Sequence, residues 1–136
     1  MSEDVLIVGL GAMGASIGLA LQQAGANASL VGFDSDSQTA REARQAGCVQ
    51  RLVHRPDQAA SHARWILLTE ATPLSLERLA ALAPLIPAGA VVLDASPLKQ
   101  PGLAWAARSL PADRHYVAIL PIIGGANLLL EGEARD

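Results

Sequence analysis

Gly9-Leu10-Gly11-Ala12-Met13-Gly14 has the spacing G-x-G-x-x-G and joins an apolar run at residues 5–8 to a small-residue stretch at 12–24. In such a bend the first glycine permits a tight turn. The second leaves the backbone open to a pyrophosphate, and the third lets helix and strand pack closely. A helix starting at Ala12 would present the N–H groups of Ala12, Met13 and Gly14 and the positive end of its dipole to phosphate oxygens. The spacing also occurs in ordinary tight turns, so its setting matters.

Asp34 supplies that setting. It falls 20 residues after Gly14, at the end of a second apolar run at 30–33. There a carboxylate accepts hydrogen bonds from ribose hydroxyls and repels a 2′-phosphate. Ser35, Asp36 and Ser37 follow, with no Arg or Lys among them, which favours NAD over NADP. The plainer role for Asp34 is a helix N-cap, which Ser35 or Asp36 would fill equally well.

The elements that must hold these residues follow from periodicity. Short apolar runs at 5–8, 30–33, 65–69, 90–93 and 116–120 predict strands, the first two buried on both faces, and residues 49–53 predict a short third strand in chain order. Between them, residues 12–24, 37–46, 57–62, 73–85 and 100–109 predict helices. Pro73 stands in a first turn, where its missing N–H costs nothing, and Gly47 follows a helix end. This alternation predicts an α/β fold of the Rossmann type: a doubly wound, mostly parallel sheet with helices on both faces, in one domain over residues 1–136.

Composition narrows the function. With 10 Lys+Arg against 13 Asp+Glu and a formal net charge of −3, nothing favours nucleic acid or an anionic membrane as partner. Residues 5–33 contain no charge, and Gly14 with Gly18 and the Ala26-Asn27-Ala28 triplet imitate membrane and signal-peptide patterns. Glu3 and Asp4 stand where a secretory signal carries Lys or Arg, and Gln22, Gln23 and Asn27 interrupt the run. The single Cys48 cannot form an internal disulfide, and no Cys/His cluster has metal-ligand spacing, so a reducing cytoplasm is expected.

Taken in order, these segments resemble the nucleotide-binding half of the prephenate/arogenate dehydrogenase family, NAD(P)-dependent oxidative decarboxylases of tyrosine biosynthesis. Residues 6–21, LIVGLGAMGASIGLAL, are similar to its opening strand, glycine turn and helix. Gly32-Phe33-Asp34 resembles its second-strand ending, and Ala71-Thr72-Pro73 its loop before the fourth helix. Residues 87–94, PAGAVVLD, with Lys99 resemble the segment leading to the active site, and Pro121 with Gly124 its His-Pro-x-x-Gly. The resemblance implies nicotinamide-side contacts at Thr69, Thr72, Pro73 and Asp94. It also implies a cyclohexadienyl carboxylate substrate and a homodimer.

Two positions depart from the family pattern. Pro97 stands where the family has a serine, and Leu120 where it has the histidine that acts on the substrate hydroxyl. Neither side chain can exchange a proton. Ser96, one residue away, is the candidate substitute if the loop shifts, and Lys99 a candidate ligand for the substrate carboxylate. Each has a plainer reading: Asp94 as a helix cap, Ser96-Pro97 as a turn pair, Lys99 as a solvated surface residue. His115, five residues before position 120 on a strand, points to the opposite face about 16 Å away. His54 and His62 read as surface residues, Cys48 as a small core residue, and Trp65 and Trp105 as packing.

The family continues into a helical domain that this chain lacks, and the apolar stretch at 119–130 would have little to cover it. Truncation of a longer protein, or a partner chain, accounts for that stretch. Besides a dehydrogenase, two readings remain: a nucleotide-binding pseudoenzyme or regulatory module without the proton-transfer pair, and another β-hydroxyacid- or imine-type dehydrogenase.

Overall fold

A computed structural model describes residues 3–96 and 99–119. Pro97, Leu120, Pro121, Gly124 and the apolar stretch beyond Ile119 lie outside the described residues, as do the side chains of Thr72 and Lys99.

Eleven elements alternate along them: β1 (Glu3–Val8), α1 (Ala12–Gln23), β2 (Ala28–Phe33), α2 (Ser37–Gln45), β3 (Arg51–Leu52), α3 (Asp57–Ala60), β4 (Trp65–Leu68), α4 (Thr72–Leu82), β5 (Val91–Asp94), α5 (Lys99–Ser109) and β6 (His115–Ala118). The six strands form one sheet in the order β3-β2-β1-β4-β5-β6. Every pairing is parallel. This is the doubly wound order whose ligand crevice opens outside the carboxyl ends of the strands, where the order reverses between β1 and β4.

Alternate residues of each strand enter opposite cores, as a sheet buried on both sides requires. Leu6, Val8, Val31, Phe33, Ile66, Leu68 and Val92 pack with α3 and α4 through Ala59, Ala60, Leu79 and Leu82. Val5, Ile7, Leu30 and Leu67 pack on the other face with Ala40 and Ala43 of α2 and with Ile17 and Leu21 of α1. Trp65 and Trp105 are partly buried against these cores and Cys48 is buried, all as expected.

Several boundaries moved. β1 and β2 begin two residues before their apolar runs, because Glu3 pairs with Ala28 and Asp4 with Ser29 through backbone groups that ignore side-chain polarity. The helix expected at 73–85 is α4, which starts at Thr72 and ends at Leu82, just before Pro84. The final strand, expected at 116–120, runs over His115–Ala118. No helix among the described residues is long and apolar enough to cross a membrane.

Candidate dinucleotide site

The glycine turn leaves β1 at the sheet's reversal point and is fixed from both sides. Toward β2, the Gly9 N–H donates to the Phe33 carbonyl at 2.8 Å. Toward β4, the Thr69 N–H donates to the Val8 carbonyl at 3.0 Å, and the Thr69 hydroxyl donates to the Gly9 carbonyl at 2.8 Å. Gly9 has φ +102°, in the region that favours glycine, and a Cβ there would collide with the Thr69 hydroxyl oxygen. A Cβ on Gly14 would collide with the Gly9 carbonyl oxygen and lie 3.2 Å from Ile7. The first and third glycines therefore serve turn and packing.

Gly11 is different. It is exposed, and a Cβ built there would have no neighbour within 4 Å. It is also the N-cap of α1, with no side-chain cap and no acidic residue in the first turn. The first-turn N–H groups of a helix have no partner inside it. An open surface beside them, at the positive end of a 12-residue helix, fits a pyrophosphate.

Asp34 lies against this turn. One carboxylate oxygen accepts from the Leu10 N–H at 2.8 Å and the other from the Asp36 N–H at 2.9 Å. The N-cap of α2 is Asp36, which accepts from the Thr39 N–H and hydroxyl. Asp34 is thus not the cap. The Thr39 hydroxyl bond holds the Asp36 carboxyl below its ordinary range against an opposing effect of burial, with help from the Thr39 and Gln38 N–H groups and Arg41.

Beyond Asp34 a cavity of about 680 Å³ opens past the ends of β2 and β3, lined by Phe33, Asp34, Ser35, Arg41, His54 and Arg78, among others. Its size suits one half of a dinucleotide. Arg78 and His54 were not foreseen here: Arg78 comes from α4, and His54, read as a surface residue, is exposed but also faces this space. No local spacing marks either one.

The carboxyl end of β5 holds a second polar group, reached by a side chain from β6. Asp94 is 1% exposed; it accepts from the Ser96 N–H at 2.9 Å and from the Tyr116 hydroxyl. Burial, then the Asp94 hydrogen bond and charge, push the Tyr116 phenol well above its ordinary value. Ser96 is equally buried, so its hydroxyl does not lie on the surface. Pro73 is exposed in the first turn of α4, and Lys99 starts α5. His62 is exposed, and His115 is exposed at the amino end of β6, away from the glycine turn.

Solved structures share this architecture. Synechocystis arogenate dehydrogenase matches with 26% identity and a TM-score of 0.75 over 90% of this chain and 42% of its own. Prephenate dehydrogenase from A. aeolicus, in complex with hydroxyphenyl propionate and NAD+, matches at TM-score 0.79 and 21% identity over 90% of this chain and 42% of its own. Mycobacterium tuberculosis 3-hydroxyisobutyrate dehydrogenase with L-serine matches at 0.78 and 20% over 94% and 44%. The chain spans less than half the length of each of these. No curated protein sequence matches it. Residues 17–132 match the family described as prephenate dehydrogenase, nucleotide-binding domain. That span begins after the glycine turn, so turn and match are separate observations. The match makes this chain a nucleotide-binding domain that belongs to the prephenate dehydrogenase family.

Proposed function

We propose that the chain is the cofactor-binding part of a prephenate- or arogenate-type dehydrogenase, acting in a reducing cytoplasm as a homodimer, and that it takes NAD in preference to NADP. The observation that carries the cofactor choice is Asp34: both oxygens are fixed by backbone N–H groups, and each keeps a lone pair for a ribose hydroxyl. A 2′-phosphate would meet that carboxylate. Arg41 also lines this cavity.

The residues divide the work by position. Gly11 and the N–H groups of Ala12, Met13 and Gly14 hold the pyrophosphate, and Asp34 orients the adenosine ribose. Thr69 holds the turn in shape from beneath. Thr72, Pro73 and Asp94 lie toward the nicotinamide side of the crevice, Asp94 by shaping the β5 end through Ser96 and Tyr116. The bound cofactor supplies hydride acceptance; the protein supplies position and exclusion of water.

The proton-handling residue is the open point in this chain's own sequence. Pro97 and Leu120 exchange no proton, and Ser96, buried here, reaches a substrate hydroxyl only if it moves. Lys99 remains the candidate for the substrate carboxylate. Those two substitutions favour a second reading, a nucleotide-binding module without turnover. The 3-hydroxyisobutyrate dehydrogenase likeness adds only the shared fold to a third.

Assay of the full-length protein with NAD and prephenate, then arogenate, decides between them. Turnover of either substrate removes the module reading. Micromolar NAD binding without turnover of either removes the dehydrogenase.

A further inference from the structure

The cavity beyond Asp34 has a wall that neither the glycine turn nor the carboxylate explains. Arg78, on the second turn of α4, places its guanidinium 4.9 Å from the centre of the Phe33 ring. Its Nε donates to Glu70 Oε1 at 2.9 Å and its Nη2 to Oε2 at 3.5 Å. A guanidinium held along one edge by both oxygens of a carboxylate cannot rotate freely. The two side chains of this pair are only 21% and 10% exposed. Glu70 in turn sits beside the glycine turn: its Cγ lies 3.1 Å from where a Gly9 Cβ would stand.

An unpaired carboxylate this close to a phosphate site would repel the ligand, so one task of Arg78 is to neutralise Glu70. The other follows from shape. A flat cation stacked on an aromatic ring, on the wall of the cavity that also contains Asp34, matches a flat, electron-rich base attached to the ribose that Asp34 holds.

We infer that the Arg78 guanidinium, fixed by Glu70 and backed by Phe33, is the stacking plate for the adenine base. The inference rests on the dinucleotide reading above and adds to it a specificity residue on α4, 44 positions after Asp34 in the chain. It predicts preference for a purine ring over a smaller base at this end of the ligand.

The test is calorimetric titration of the chain and its Arg78→Lys, Arg78→Met and Glu70→Gln variants with NAD and with AMP. Nuclear Overhauser contacts from the adenine H2 and H8 protons in the AMP complex accompany it. Arg78→Lys keeps the charge and a partner for Glu70 but loses the plane. The expected result is a loss of about three- to thirtyfold for both ligands in both Arg78 variants. A smaller loss is expected in Glu70→Gln, and adenine contacts to Arg78 side-chain protons in the unaltered chain. Unchanged affinity in Arg78→Met, or full affinity in Arg78→Lys with no adenine contacts, overturns the stacking role and leaves the dinucleotide reading intact. Failure of the unaltered chain to bind NAD or AMP overturns both.

Discussion

The Asp34 carboxylate accepts a hydrogen bond from the Leu10 N–H at 2.8 Å, across 24 residues of sequence. The acidic residue at the end of β2 and the glycine turn at the end of β1 are therefore one unit. The group that would hold the ribose also sets the shape of the loop that would hold the phosphates.

Replacing Asp34 by Ala should act on both. Hydrogen bonds to a charged group contribute about 1.5–3 kcal/mol, so NAD affinity should fall by about 10- to 100-fold. NADP affinity should change less, since repulsion of its 2′-phosphate is relieved. The melting temperature should also drop, because the Leu10 N–H loses its acceptor. Calorimetric titration with both cofactors, beside a thermal melt, reads all three effects.

Gly11 and Gly14 should respond oppositely to the same added methyl. Gly11→Ala meets nothing in the folded chain and should cost stability less than about 1 kcal/mol, the scale of a changed N-cap. It should nonetheless block the pyrophosphate and abolish measurable NAD binding. Gly14→Ala drives its Cβ into the Gly9 backbone and should destabilise the fold by about 1–3 kcal/mol or more. Denaturant melts paired with NAD titration separate the two.

Tyr116→Phe leaves the buried Asp94 carboxylate without its phenol donor and should cost about 1–3 kcal/mol. The pH dependence has a definite sign. The phenol titrates higher in the folded chain than its ordinary value of 10.0, so the unfolded chain releases that proton first. Stability carried by the neutral hydroxyl is present below pH 10.0 and is lost as pH rises above it. Melts from pH 8 to 11 should show a decline in the unaltered chain that is smaller in Tyr116→Phe.

Restoring the proton-transfer pair tests whether its loss limits turnover. In the full-length protein, Pro97→Ser with Leu120→His should raise the rate with prephenate or arogenate by about 100-fold or more, the usual scale of general acid–base catalysis. An unchanged rate would place the limit elsewhere.

The alternation of strands and helices was legible in the sequence because burial on both faces writes continuous apolar runs such as Leu6-Ile7-Val8 and Ile66-Leu67-Leu68. The glycine spacing likewise reports a close approach that only glycine allows. Strand starts were not, since the Glu3 and Asp4 pairings use backbone groups alone. Arg78 was invisible for a related reason: it meets Phe33 from 45 positions away, and only the folded crossover brings α4 to the end of β2. The burial of Asp94 was equally hidden, because Tyr116 of β6 and Gly102 of α5 reach it only in the folded chain.

Amide spectra of the 15N-labelled chain titrated with NAD report whether the glycine turn and Asp34 meet the dinucleotide. Saturable shifts are expected at Gly11, Ala12, Met13 and Gly14 and at Asp34, with little change at His115, at the amino end of the edge strand β6. Absence of shifts at the glycine turn, or shifts confined to other surfaces at saturating NAD, would contradict that contact.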